Sequence, residues 1–219
     1  MALAAALKNP DFGAAFIANT PKELREPLLQ HYGYATRWID LVDNAWIALW
    51  FGLNECVEYR GKSASGPSVH WIYRKRRPAA SLPPVGEAGP ESDYAYILLF
   101  QPGEDAAPDE SLPGLAVGKN WTVADLRRGT PSLYVRPHAQ HGLLARRTAY
   151  CDVASTDLSD GVVGRVRVHL VLADEWLGAG NLLSVHHLFP PPHFDGGYGR
   201  LLGRAVWDKR IGTVAHVNS

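Results

Sequence analysis

The stretch Ala45 to Leu53 (Ala-Trp-Ile-Ala-Leu-Trp-Phe-Gly-Leu) carries no charge, and with Asp43 or Asn44 as its cap it reads as a helix apolar nearly all the way round. Such a helix has no side to give to water and must be buried on most faces. It is far too short to cross a bilayer. The rest of the chain must therefore supply layers to cover it, and 219 residues suffice for one ordinary domain with a real core.

The covering elements are legible in part. Thr20-Pro21-Lys22-Glu23 is a helix start, with Thr20 as cap, Pro21 at the first helical position and Glu23 reaching back. That helix should run through Leu28 and Leu29 and end at Gly33, which tolerates a left-handed backbone. Thr36 to Leu41 reads as extended. From Arg60 to Glu91 the density of Gly, Pro, Ser and Ala predicts a long mobile insertion carrying a solvated basic cluster, Arg74 to Arg77. Tyr94 to Phe100 is a buried strand, and Gln101 to Asn120 a second polar loop. Thr122 with Asp125 caps a short helix to Arg128. Ser132 to Arg136 and Arg165 to Leu172 are expected as strands, Asp174 to Leu183 and Tyr198 to Val206 as helices, with Pro190 to Pro192 irregular. The expectation is a single α+β domain over 1–219, a small sheet flanked by helices with long polar loops.

Composition excludes some functions. Lys plus Arg equals Asp plus Glu at 22 each, so the basic surplus of a phosphate-neutralising nucleic-acid binder is missing. Cys56 and Cys151 stand outside any CxxC pattern and read as reduced structural thiols. The apolar start, Met1 to Leu7, lacks the charge and length of a signal peptide, and no membrane span is visible; the cytoplasm is the expected compartment.

Three segments concentrate chemistry. Gln30 to Asp40 packs an imidazole (His31), a glycine (Gly33), a hydroxyl (Thr36), a guanidinium (Arg37), an indole (Trp38) and a carboxylate (Asp40) into one helix-to-strand passage. Its charges either hold a loop on the core or form a wall for an anionic or hydroxyl-rich ligand. Arg136 to Gly142 is a polar run with Gln140, His138 and His141, of the sort that closes a pocket. Leu188 to Gly197 holds the proline run and Asp195, which suits a turn or a helix cap. Neither His138 with His141 nor the group His186, His187 and His193 has acidic companions, so no metal site is assigned.

In this order the segments resemble the FRG domain family. Its Gln-His-x-Gly-x-x-Thr-Arg-x-x-Asp motif is matched by Gln30, His31, Gly33, Thr36, Arg37 and Asp40, its Arg-x-x-x-Gln-x-Gly motif by Arg136, Gln140 and Gly142, and its closing motif by Leu188, Phe189, Pro190, Asp195 and Gly196. The Phe/Tyr-Arg-Gly triplet that names the family is absent upstream of His31; Tyr59-Arg60-Gly61 lies downstream. The expectation is a chain that starts late or has lost that element, with a partner to supply it. The family's outline is similar to ADP-ribosyltransferases, which implies NAD as a substrate and a toxin or phage-defence setting, with no firm cofactor. On that analogy His31, Thr36, Arg37, Asp40 and Gln140 are catalytic, and Gly33, Trp38, Arg136 and Gly142 bind the dinucleotide. Gln140 stands where a Glu is expected, which weakens an enzyme. The alternative is a non-catalytic small-molecule-binding or interaction domain.

Overall fold

The computed structural model describes residues 20–34, 36–63, 66–79, 81–149, 158–199 and 213–214. Helix α1 spans Lys22–His31. Pro21 rather than Thr20 is its N-cap, with no side-chain cap bond, and the Thr20 hydroxyl is buried without a partner. Its other end is a Schellman closure: Gly33 N–H donates to Gln30 O at 2.9 Å, Tyr34 N–H to Leu29 O at 3.2 Å, and Gly33 takes φ +96°. The expected glycine stop is therefore observed, and it turns the chain sharply toward β1 (Ile39–Val42).

Helix α2 (Ala45–Leu53) is capped by Asn44, whose Oδ1 accepts from Trp46 N at 2.9 Å and Ile47 N at 3.2 Å. Ile47, Leu49, Trp50 and Leu53 are buried, but Trp46 is 54% exposed, so the helix is not covered all round. It leads directly into a long hairpin, β2 (Asn54–Ser63) and β3 (Gly66–Lys75), paired antiparallel from Asn54↔Lys75 outward.

That hairpin corrects the expectation of a mobile insertion over 60–91: paired strands run through its first half. Of the basic cluster, Arg74, Lys75 and Arg77 are exposed, as expected, the first two in surface ion pairs, and Arg76 alone is docked on the fold. Arg74 pairs with Glu55 at 2.6 Å and Lys75 with Asp174 at 3.0 Å. Arg76 donates to the carbonyls of Gly52, Ser92 and Tyr94 at 2.9, 3.0 and 3.1 Å.

Strand β4 (Tyr94–Phe100) falls where the sequence puts it and pairs with β9 (Val162–His169). Between them come β5 (Ala107–Pro108), β6 (Leu115–Val117), β7 (Trp121–Asp125), α3 (Leu126–Gly129), α4 (Val135–Ala139) and β8 (Gly142–Arg147). Thr122 thus lies in a strand, and Asp125 alone caps the short helix, accepting from Arg127 N. Ser132 to Arg136 is a turn entering α4, not a strand. After β9 the chain enters α5 (Leu170–Trp176) earlier than expected, then α6 (Val185–Leu188). A further helix begins at residue 196; its course past residue 199 lies outside the described residues.

The sheets are a five-stranded one in the order β1-β8-β7-β6-β5, the β4-β9 pair, and β2-β3 joined in parallel by β10 (Thr213–Val214). The fold is α+β, as expected. Two cores result. One gathers Leu24, Leu28, Leu29 and Tyr32 of α1 with Trp38, Leu126, Tyr134, Leu144 and Tyr198. The other gathers α2 with Ala95, Val168, Leu170, Ala173, Leu188 and Phe189.

Candidate ligand-binding site

The three segments marked in the sequence meet in space, and one buried carboxylate ties them. Asp195, fully buried, accepts from Tyr32 Oη at 2.7 Å, from Arg136 N at 2.9 Å and from Tyr198 N at 2.9 Å. The last is a helix-cap bond, one of the two roles read from the sequence. Acceptance from three donors satisfies a carboxylate that would otherwise be costly to bury.

Above this knot lies a cavity of about 570 Å³, a size suited to a small ligand. Gln30 to Tyr34 at the end of α1 form one wall and Asp40, Leu41 and Val42 of β1 the next. Ala48 and Phe51 of α2, Cys56 of β2, and Trp71 and Tyr73 of β3 face them, and Arg136, Gln140 and Phe189 complete the lining. The cavity draws on residues of both cores. Its aromatic wall is braced by ring contacts, Tyr73 with Phe189 at 4.7 Å and Phe51 with Tyr73 edge-on at 6.1 Å.

His31 is the centre of the polar side. Gln140 Nε2 donates to Leu188 O at 2.8 Å, so its Oε1 is turned to His31 Nδ1 at 3.0 Å. An amide oxygen only accepts; Nδ1 therefore carries the hydrogen. His31 Nε2 is buried without a hydrogen-bond partner and lies 3.8 Å from Asp40 Oδ1. Burial holds the imidazole below the ordinary histidine value of 6.5; Asp40 pulls it up, Arg136 pushes it down and the Gln140 bond pulls it up. Gly142 packs close against the ring, since a Cβ there would lie 2.5 Å from His31 Cε1. Strand pairing explains the meeting, because β1 runs against β8 with Asp40 opposite Leu144 and Val42 opposite Gly142.

Arg136 is only 3% exposed. Its Nη1 donates to His31 O at 2.7 Å, and its guanidinium lies over the rings of Tyr198, Tyr32 and Phe189 at 4.5, 4.8 and 5.4 Å. Among the described residues Nε and Nη2 have no hydrogen-bond partner, and no carboxylate forms an ion pair with the guanidinium. His31 thus stands between the positive Arg136 and the negative Asp40.

Of the residues expected at a site, His31, Gly33, Asp40, Arg136 and Gln140 line the cavity, and Gly142 supports it from behind. Thr36, Arg37 and Trp38 do not line it. The Thr36 hydroxyl donates to Gln30 Oε1 and accepts from Trp38 N, a turn-fixing role. Trp38 is 5% exposed within the first core and its Nε1 donates to Glu26 Oε2 at 3.4 Å, so its ring is not free to stack on a ligand. Arg37 is half-buried outside the cavity.

The sequence reading missed Phe51, Cys56, Trp71, Tyr73 and Phe189 as cavity residues. Cys56 is free, in keeping with the reduced reading, and exposed at the cavity edge, with partial burial of its sulfur raising its pKa; Cys151 lies outside the described residues. The alternation Val69-His70-Trp71-Ile72-Tyr73 was the available strand signal.

Among the described residues no three His, Cys, Asp or Glu side chains gather to hold a metal ion. His141 instead pairs with Asp43 at 2.9 Å, and His187 closes the first turn of α6 on Ser184. No helix among the described residues is long and apolar enough to cross a membrane. Comparison with known proteins finds no matching family, no matching curated protein and no matching solved structure.

Proposed function

We propose that this chain is an FRG-type domain that takes NAD, or a close nucleotide relative, into this cavity and breaks its nicotinamide–ribose bond, as an ADP-ribosyltransferase-like or NAD-consuming effector in a toxin or phage-defence setting. The observation that carries the reading is the charge pattern: a buried guanidinium with no carboxylate partner among the described residues, a carboxylate across His31 from it, and aromatic rings around them.

Oxidised nicotinamide is a flat cation joined through ribose to a diphosphate, and each part has a counterpart. The unused donors of Arg136 suit a phosphate oxygen; burying a charge without a partner is costly, and an anionic ligand relieves that cost. Phe51, Tyr73 and Phe189 offer faces and edges to a flat ring. Asp40 supplies the negative charge that favours the cationic ring and the oxocarbenium character that develops at the ribose carbon as the bond breaks. Gln140 is engaged with His31 and Leu188 and serves the site by orientation.

That engagement favours a second reading. An amide stands where the ADP-ribosyltransferase pattern expects a glutamate, which suits a domain that binds its ligand without turnover. Calorimetry with NAD, together with NMR detection of free nicotinamide, separates the two. Release of nicotinamide by the wild-type chain and its loss in Asp40→Asn support the first reading. Saturable binding without release supports the second, and no binding refutes both.

A further inference from the structure

In the sheet order β10-β3-β2, strand β2 is an edge, and among the described residues no strand pairs with its outer side. Cys56, Val57, Glu58, Tyr59 and Arg60 are exposed in succession, so both faces of the strand are open along with the edge. Which backbone groups point outward follows from the ladder. Arg76 N–H donates to Leu53 O at 2.9 Å, one step beyond the Asn54↔Lys75 pair, and the pairing runs unbroken to Ser63↔Gly66. Hydrogen-bonded pairs alternate in an antiparallel ladder, so the odd positions of β2 exchange bonds with β3. Asn54 agrees, since its N–H turns back to Trp50 O. The N–H and C=O groups of Cys56, Glu58, Arg60 and Lys62 therefore point away from β3, and an open edge of that kind is a template for another strand.

The charges on the edge select that strand. Glu58 and Arg60 stand two positions apart on one face and pair with each other. A second β2 laid antiparallel must set even positions opposite even positions, because those carry the outward-facing backbone groups. Centred on Tyr59, this pairing puts Glu58 opposite Arg60 of the second copy and Arg60 opposite its Glu58. The four charges then alternate in sign around the two-fold axis. A register centred on Glu58 or on Arg60 sets two like charges against each other, which is unfavourable. One centred on Val57 gives Glu58 and Arg60 no charge to face, and one centred on Gly61 sets Arg60 against Lys62. On the other face Tyr59 meets Tyr59 of the second copy in a non-hydrogen-bonded pair, where side chains approach most closely.

We infer that β2 is a self-docking edge: two copies of this chain join β2 to β2, antiparallel about a two-fold axis at Tyr59, into one sheet of order β10-β3-β2-β2-β3-β10. A two-fold contact is closed, so the edge is consumed in a dimer and does not propagate into a fibre. Cys56, Trp71 and Tyr73 share the cavity face of the hairpin. Directly opposite residues in a ladder also share a face, so both cavities open on the same side of the joined sheet. The pairing is independent of what the cavities hold.

Sedimentation velocity of the wild-type chain over a concentration series should show a dimer that dissociates on dilution. A monomer at every concentration overturns the inference. Glu58→Arg and Arg60→Glu should each raise the dissociation constant on the order of tenfold, since the two-fold axis counts each change twice. Mixed in equal amounts, the two variants should associate again, because each supplies the charges the other lacks. A dimer of wild-type strength in both variants overturns the edge pairing. So does a failure to associate on mixing when the urea midpoints of both match the wild type. The register is read separately by oxidation of Tyr59→Cys in a Cys56→Ser, Cys151→Ser background. Two facing cysteines in a non-hydrogen-bonded pair lie within disulfide reach, so an interchain link should form there. Val57→Cys in the same background, which faces Gly61, should link far more slowly. A link at position 57 in preference to 59 means another register and overturns the pairing about Tyr59.

Discussion

Replacing Asp195 by asparagine should cost far more than the near-identity of the two side chains implies. The carboxylate accepts three hydrogen bonds, two on Oδ2 from Tyr32 Oη and Arg136 N, and one on Oδ1 from Tyr198 N. Asparagine has one acceptor oxygen. If that oxygen faces Tyr198, the amide NH₂ confronts the Arg136 N–H, which cannot rotate away. If it faces Tyr32 and Arg136, the NH₂ confronts the Tyr198 N–H. Either way one buried main-chain donor is orphaned and a charge-assisted bond is lost, roughly 1.5–3 kcal/mol for the bond and 1–3 for the orphan. A total of about 3–5 kcal/mol is expected. Tyr32→Phe removes a single bond, leaves the two amides paired, and should cost about 1.5–3 kcal/mol. Urea unfolding followed by tryptophan fluorescence reads both, with the slope m checked for constancy. A double-mutant cycle should give strong coupling, because both changes act on one oxygen. An Asp195→Asn chain within about 1 kcal/mol of wild type would refute the triply bonded knot.

Gly142→Ala should destabilise by about 1–3 kcal/mol through overpacking and shift the His31 resonances, because its Cβ meets the imidazole at 2.5 Å; an unshifted ring would show the contact is loose. Below pH 6.5 the unfolded chain takes up a proton at His31 that the folded chain resists, so stability should fall as pH drops through that range; urea midpoints against pH should show less of this loss in His31→Asn. Trp50→Ala should cost roughly 3–5 kcal/mol and Trp46→Ala little, since the first is buried and the second is 54% exposed; equal midpoints would contradict the orientation of α2. Trypsin should spare Arg76, held by three carbonyls, relative to unfolded substrate, and early cuts there would contradict its docking.

What the sequence made legible was local. Asn44 and Gly33 announce a cap and a stop through their own backbone chemistry, and Tyr94 to Phe100 announces a strand by an unbroken apolar run. The hairpin from Asn54 to Lys75 escaped because its stability is in cross-strand pairing of residues up to 21 positions apart, such as Asn54 with Lys75. Its tip is rich in Gly, Pro and Ser, and that composition outweighed the alternation of Trp71 and Tyr73. Trp38 was misread for the same kind of reason. Asp40, two residues on, lines the cavity, but whether one indole points to a ligand or into a core depends on where α1 and Leu144 stand. Arg136 bonds both Asp195 and the His31 carbonyl, which brings the three segments together; that Asp195 would hold the other two is written in no local spacing.

The cavity is walled from both cores, with the end of α1 on one side and α2, Phe189 and the hairpin on another. An occupant therefore acts as mortar between two halves of the fold rather than as a passenger under a loop. Melting the chain must then release whatever it holds, and the melting temperature becomes a function of ligand concentration. At a concentration one hundred times the dissociation constant the added stability is about 2.7 kcal/mol. A thermal-shift survey of nucleotides, sugars and organic anions thus reads the contents of this cavity directly, without any assumption about the reaction it performs.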